Sequence, residues 1–289
     1  MIQLDGVQLC TDSWGEPAGP PVVLIMGLGA SMLWWPDDFC RSLAAGGRFA
    51  IRYDHRDTGR STTYPRGQPG YTSDDLVSDV VCVLDAYELE TAHLVGVSAG
   101  GAIAQLVALD HPGRVLSLVL ISTSPAVSVG RELPPPTDVF GRFFSGLAID
   151  RSDPESVIDY RVRYTLMLAG SEHRLDEVKL REFVRRDVER ARDFAAASNH
   201  DQLGGNVRER GPLSSITAPT LVMHGTADPL FPIEHGQALA EVIPNAHLVP
   251  ANGAGHGLES MDTAMVVTAI LKHTSDRSSA SRGKDRGTP

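Results

Sequence analysis

The sequence has only three cysteines in 289 residues, Cys10, Cys40 and Cys82, and they stand far apart. That supports neither a disulfide framework nor a cysteine metal cluster, and it fits a reducing compartment such as the cytoplasm. No apolar run approaches the roughly 20 residues needed to span a bilayer. The opening residues, MIQLDGVQLC, have no basic stretch ahead of an apolar one, so no secretory leader is expected. Positive charge is also short. The 26 Lys and Arg against 36 Asp and Glu give a formal net charge of -10, which speaks against a nucleic-acid partner and against an anionic membrane surface. There are no internal repeats, and nothing bears on oligomeric state. What is present is an ordinary globular composition, 42% hydrophobic and 21% charged. The length suits one large α/β domain, alone or with an insertion.

The most informative stretch is AHLVGVSAGG, residues 92–101. Buried-strand residues from His93 to Val97 run into Ser98, and a helical stretch starts directly behind it. Ser98 flanked by Gly96 and Gly100 is Gly-x-Ser-x-Gly. A chain that turns from strand to helix at one residue strains that residue, and neighbours two positions away must lack side chains to avoid clashing. The hydroxyl would stand clear of the sheet edge above the N–H groups of a helix start. The two glycines could instead serve only strand–helix packing, so the motif needs a base and an acid elsewhere.

Residues 2–14 read as two short strands around Asp5-Gly6. Val22–Met26 is a continuous apolar run, as in a strand buried on both faces. A helix is expected from about Pro36 to Ala45, a strand over Phe49–Tyr53, and a helix capped by Ser73. The helix behind Ser98 runs to about Asp110, and Val115–Ser122 is the next strand. Short connections between alternating strands and helices imply a mostly parallel, twisted sheet of about eight strands with helices on both faces. Functional loops then sit at the carboxyl ends of the strands, where Gly27, Asp54 and Ser98 fall.

The rhythm breaks over residues 125–212, which hold helical patterns and no run of buried-strand type. This reads as a helical lid lying over the sheet, with no independent core evident in it. Strands resume at Pro219–His224 and Ala246–Val249, and a last helix runs to about Lys272. The core is therefore expected over residues 1–124 and 213–273, with a disordered tail over 274–289.

A serine hydroxyl is a poor nucleophile at neutral pH and needs a base with an orienting acid. Of ten histidines, His256 stands out, between glycines directly after the last strand. Asp228 follows the penultimate strand, after a glycine turn and before Pro229. The order Ser98, Asp228, His256 is the nucleophile–acid–base order of one hydrolase fold. Asp228 could also be a plain Asp-Pro turn residue and His256 a satisfied loop histidine. Asp201, beside His200, is the competing acid. His224 with Asp228 suggests a metal, but a third ligand is missing. Asp54, His55, Arg56 and Asp57 could serve as acid–base groups, but they read better as hydrogen-bonded turn residues supporting the site.

On GVSAG, on Met26-Gly27-Leu28-Gly29 and on the Asp54…Gly59…Ser61 turn, the chain resembles the α/β-hydrolase family over residues 1–273. IMGLGASMLWWPDDFC and IRYDHRDTGRST narrow the resemblance to esterases of the aclacinomycin methylesterase type. The resemblance implies that Ser98 attacks an acyl carbonyl, His256 moves the proton and Asp228 orients the imidazole. It also implies an oxyanion hole of the Leu28 and Ala99 N–H groups. Many members carry His-Gly where this chain has Met26-Gly27, which makes the pocket floor more apolar. Some place the acid after the strand that ends near Ser122; Thr123 and Ser124 stand there, which favours Asp228. Pocket candidates are Gly27, Trp34, Trp35, Phe143, Tyr164, Met167, Leu230 and Phe231. The expected activity is hydrolysis of a small-molecule hydrophobic ester, bulky or polycyclic ones included, with no cofactor and no metal. A C–C hydrolase, lactonase or haloperoxidase-like perhydrolase on the same fold is the alternative, and a non-catalytic ligand-binding module is a third reading.

Overall fold

A computed structural model describes residues 1–4, 6–145, 149–170, 174–203 and 208–275. Asp5 of the expected hairpin turn and residues 276–289 of the expected tail lie outside the described residues. The apolar runs become strands β1 (Ile2–Leu4), β2 (Val7–Leu9), β3 (Thr11–Trp14), β4 (Pro21–Ile25), β5 (Phe49–Tyr53), β6 (Ala92–Val97), β7 (Val115–Ile121), β8 (Thr220–Gly225) and β9 (Ala246–Ala251). Helices are α1 (Asp37–Ala45), α2 (Ser73–Ala86), α3 (Ala99–Asp110), α4 (Asp138–Phe144), α5 (Pro154–Ala169), α6 (Glu177–Arg190), α7 (Glu234–Val242) and α8 (Thr263–His273).

The main sheet has the order β3-β5-β4-β6-β7-β8-β9. All its pairings are parallel except that of β3 with β5. It holds seven strands rather than about eight, and residues 2–14 give three strands rather than two. The cause is a break at Cys10. Its N–H leaves the ladder for Ser61 Oγ at 2.9 Å, while its carbonyl accepts from the Asp54 N–H at 2.9 Å. β1 and β2 therefore pair only with each other, and β3 starts afresh at the sheet edge.

Successive strand residues point to opposite faces. Val23, Ile25, Leu94 and Leu120 meet α2, α3 and α7 on one side. Val22, Leu24, Val95 and Val97 meet α1 and α8 on the other. Each such aliphatic side chain contributes about 1.5–3 kcal/mol on burial, which holds the strand ends in fixed register. Thr72, not Ser73, caps α2, because Asp75 at the third helical position accepts from the Thr72 N–H at 2.7 Å. Thr274 is buried and accepts from Arg48 Nε at 2.7 Å, so α8 is anchored through that residue.

Between β7 and β8 the described residues form no strand. α5 and α6 pack on each other through Val157, Ile158, Val162, Leu180, Val184 and Val188. The segment thus has a small core of its own, which its sequence conceals because each helix supplies only half of it. Trp34 joins it from the main body, edge-on to Phe183 with ring centroids 4.9 Å apart.

Candidate active site

β6 ends at Val97, and α3 begins at Ala99. Ser98 between them has φ 54° and ψ -124°, a backbone region that non-glycine residues seldom occupy. The turn closes because backbone touches backbone at the two glycines. A Cβ on Gly96 would stand 2.3 Å from the Gly100 carbonyl oxygen, and one on Gly100 would stand 2.2 Å from that of Ile25. These contacts push the Ser98 side chain out at the carboxyl end of the sheet, opposite Gly27, whose own Cβ would lie 3.8 Å from Ser98 Oγ.

Asp228 follows β8 and His256 follows β9, so neighbouring strands deliver them to the same end. His256 Nδ1 donates to Asp228 Oδ2 at 2.8 Å, and both side chains are buried. The other carboxylate oxygen of Asp228 accepts from the backbone N–H groups of Leu230 at 2.9 Å and Phe231 at 2.8 Å. Burial by itself would raise the Asp228 pKa. The His256 hydrogen bond and charge, with the Phe231 N–H, outweigh it and hold the carboxyl below its usual range. The carboxylate fixes the proton on Nδ1 of His256, which leaves Nε2 as the free acceptor.

His224 belongs to this cluster without being equivalent to His256. Its Nε2 donates to the Phe231 carbonyl at 2.7 Å and lies 3.6 Å from Asp228 Oδ2. Burial lowers its pKa, so it is neutral. Among the described residues no group of three His, Cys, Asp or Glu is placed to hold a metal ion. Asp201 pairs with Arg151 at 3.3 Å instead of with a histidine.

Ser98 and His256 both line one cavity of about 340 Å³. Gly27, Leu28, Leu230 and Gly257 form its floor. Its roof is one face of α5, with Tyr160, Tyr164 and Leu168 spaced four residues apart. The Ala99 N–H is at the start of α3 and the Leu28 N–H is in the loop after β4. Neither donates to a protein acceptor among the described residues.

A family model for the alpha/beta hydrolase fold matches residues 20–258. The chain belongs to that family. It is 34% identical to the rhodomycin D methylesterase DauP of Streptomyces sp. (strain C5), over 95% of this chain and 97% of that one. It is 30% identical to a non-heme chloroperoxidase of Streptomyces lividans, over 89% and 92% of the two chains. Among solved structures, the esterase RhEst1 from Rhodococcus sp. ECU1013 superposes with a TM-score of 0.74 at 25% identity, covering 95% of this chain and 97% of that one.

In this α/β hydrolase the expected pocket residues divide. Gly27, Trp34, Tyr164 and Leu230 line the cavity. Trp35 does not: it is fully buried against Phe39 in the core under α1. Met167 and Phe143 yield to their neighbours Leu168 and Phe144, since one residue along a helix turns the side chain by about 100°. Phe231 stands behind the cavity, its ring 5.6 Å from that of His256. Asp54 accepts from the Met32 N–H at 2.9 Å and pairs with Arg190 at 2.8 Å. His55 Nε2 donates to the Met26 carbonyl at 2.9 Å, and Arg56 pairs with Asp79 at 2.7 Å. Asp57 accepts from Tyr71 Oη at 2.7 Å, so all four are scaffold residues.

Sequence reading missed Arg161 and Glu259, which also line the cavity. Glu259 is three residues beyond His256 and folds back over Gly257, where a Cβ would fall 2.7 Å from its Oε2. Burial pushes its pKa up to about 7, against its own backbone N–H and the His256 charge. The paired Arg151 and Asp201 line it as well, and no local signal marks Arg161 or Glu259, since which charged side chains turn into a cavity is visible only after folding. Among the described residues no helix is long and apolar enough to cross a membrane.

Proposed function

We propose that this α/β hydrolase is a serine carboxylic ester hydrolase acting through an acyl-enzyme, with Ser98 as nucleophile, His256 as general base and acid, and Asp228 as its orienting carboxylate. His256 Nε2 takes the Ser98 proton as Oγ attacks the ester carbonyl. The Leu28 and Ala99 N–H groups hold the oxyanion of the tetrahedral intermediate, and losing one such donor typically costs about 3–4 kcal/mol of transition-state stabilisation. The alcohol leaves with the proton from His256, and water then releases the acid by the same route. No step calls for a cofactor. The observation that carries this reading is the strained Ser98 facing the same cavity as the His256–Asp228 pair.

The substrate we propose is a hydrophobic ester with a bulky, polycyclic acyl part and a small alcohol such as methanol. The aromatic and aliphatic part of the cavity wall, Trp34, Phe144, Tyr160, Tyr164 and Leu230, supports this beside the charged Arg151, Arg161, Asp201 and Glu259, as does a relative named for methyl-ester cleavage on rhodomycin D. The helices over residues 125–212 act as the lid that selects the acyl group. The similarity to a chloroperoxidase favours perhydrolysis as the competing reading, in which hydrogen peroxide replaces water at the acyl-enzyme.

The test is hydrolysis of p-nitrophenyl esters of increasing acyl size and of methyl esters of polycyclic aromatic acids, with and without peroxide. Wild type should turn over both sets, and Ser98→Ala should lose about ten-thousand-fold in kcat. A fluorophosphonate should add to Ser98. Equal turnover by the alanine variant would defeat the reading, and a peracid as the main product in low peroxide would favour the competing one.

A further inference from the structure

The loop after β4 carries the Leu28 N–H, and the main body holds only its two ends. His55 fixes the Met26 carbonyl and Asp54 fixes the Met32 N–H, at 2.9 Å each. Between them, among the described residues, every side-chain hydrogen bond reaching residues 27–31 from outside the loop comes from the helical segment. His200 Nδ1 accepts from the Gly29 N–H at 2.7 Å. Arg161 donates to the Gly29 carbonyl at 3.1 Å. Asp187 accepts from the Ser31 hydroxyl and from Trp34 Nε1, the latter at 3.1 Å. Arg161 and Asp187 also pair with each other at 2.7 Å, so the three form one bracket.

Gly29 needs this bracket. It has φ +73°, and a glycine there has no side chain to bias its neighbouring peptide planes. Within the loop, the Gly27 carbonyl receives only a long 3.4 Å bond from the Ala30 N–H. Fixing the planes on both sides of Gly29 leaves only the Leu28 dihedrals between this bracket and the Leu28 N–H, one peptide earlier. We propose that His200 and Arg161 are positioning residues that aim the Leu28 N–H at the developing oxyanion, so that the lid sets catalytic rate as well as substrate choice. The inference rests on the reading of Leu28 as an oxyanion donor. Its chemistry is specific. His200 must be neutral with its proton on Nε2, which donates to the Arg56 carbonyl at 2.8 Å, so that Nδ1 can accept. Burial and the neighbouring His55 ring push the His200 pKa down to about 3, which keeps that acceptor in place.

The experiment compares His200→Ala, His200→Asn, His200→Gln and Arg161→Met in the full chain. The readouts are kcat and KM on p-nitrophenyl acetate, affinity for a trifluoromethyl ketone whose hemiketal oxyanion fills the hole, and circular dichroism. Alanine and Arg161→Met should each lower kcat about 10- to 100-fold with KM little changed, and ketone affinity should fall by the same factor. Asparagine sets an oxygen where Nδ1 was and should recover most of kcat, whereas glutamine sets its oxygen near the Nε2 position and should not. The asparagine–glutamine pair decides the matter even if the alanine variant fails to fold. Equal kcat in asparagine and glutamine variants, or a kcat loss with unchanged ketone affinity, overturns the inference. Failure of wild type to hydrolyse esters or to label at Ser98 overturns the parent reading instead.

Discussion

Ser98 shows what a single residue needs from its neighbours. Its φ of 54° costs a serine about 1–3 kcal/mol, and the conformation persists because Gly96 and Gly100 let three backbone segments touch. Glu259 is the second residue held outside its ordinary range. With a folded pKa near 7 against 4.5 when unfolded, it stays protonated in the fold where the unfolded chain has already released its proton. Stability therefore falls as pH rises from 4.5 to about 7 and carries a constant penalty above that. Glu259→Gln should raise Tm by about 2–5 °C at pH 8.5 and leave it unchanged near pH 4. Thermal melts across that range check it, and a gain equal at both ends would refute the assignment.

At the scale of elements, α5 has two faces with different tasks. Tyr160, Tyr164 and Leu168 meet the cavity, while Ile158 and Val162 pack on α6. The α5 C-terminus also touches the loop of the base, since the His256 N–H donates to the Leu168 carbonyl at 2.7 Å. Loosening α5 against α6 should therefore reach the chemistry without unfolding the sheet. Ile158→Ala, in a fully buried position, should cost the helical segment about 2–4 kcal/mol. Limited proteolysis should then cut first within residues 149–203, and KM should rise more for bulky esters than for p-nitrophenyl acetate. A lowered global Tm with no preferential cleavage there would show that the segment has no local stability of its own.

Across the whole molecule, the two faces of the sheet are sealed by helices from distant parts of the chain. Cys40 on α1 sits fully buried among residues that α8 and the sheet contribute. Burial pushes its thiol up to about 12, against the opposing pull of the Arg52 charge. Its exposure requires the sheet, α1 and α8 to part together, so its reactivity reports global opening. Cys40 should ignore Ellman's reagent in native buffer and react in urea along the same transition that circular dichroism records. Native reaction at the pace of a surface thiol would mean that α1 detaches locally.

Much of this was written in local sequence. Apolar runs of five to seven residues marked the parallel strands, because a strand buried on both faces needs no polar alternation. The glycines around Ser98 announced a tight strand-to-helix turn, and Asp228 and His256 were placed by standing directly after strands. The edge region was not legible: the break at Cys10 depends on Ser61, 51 residues away. Nor was the pocket wall. Trp34 rather than Trp35, Phe144 rather than Phe143 and Leu168 rather than Met167 reach the cavity, and helical periodicity defines a face only up to a rotation that the partner helix sets. The hydrogen bond from Gly29 to His200 spans 171 residues. By itself the sequence determined the layered sheet and the residues at its strand ends, because those follow from hydrophobic period and turn sterics. Only the tertiary structure decided what the helical segment grips and which of its side chains meet the cavity. Those depend on the relative placement of separately folded pieces, which no local pattern encodes.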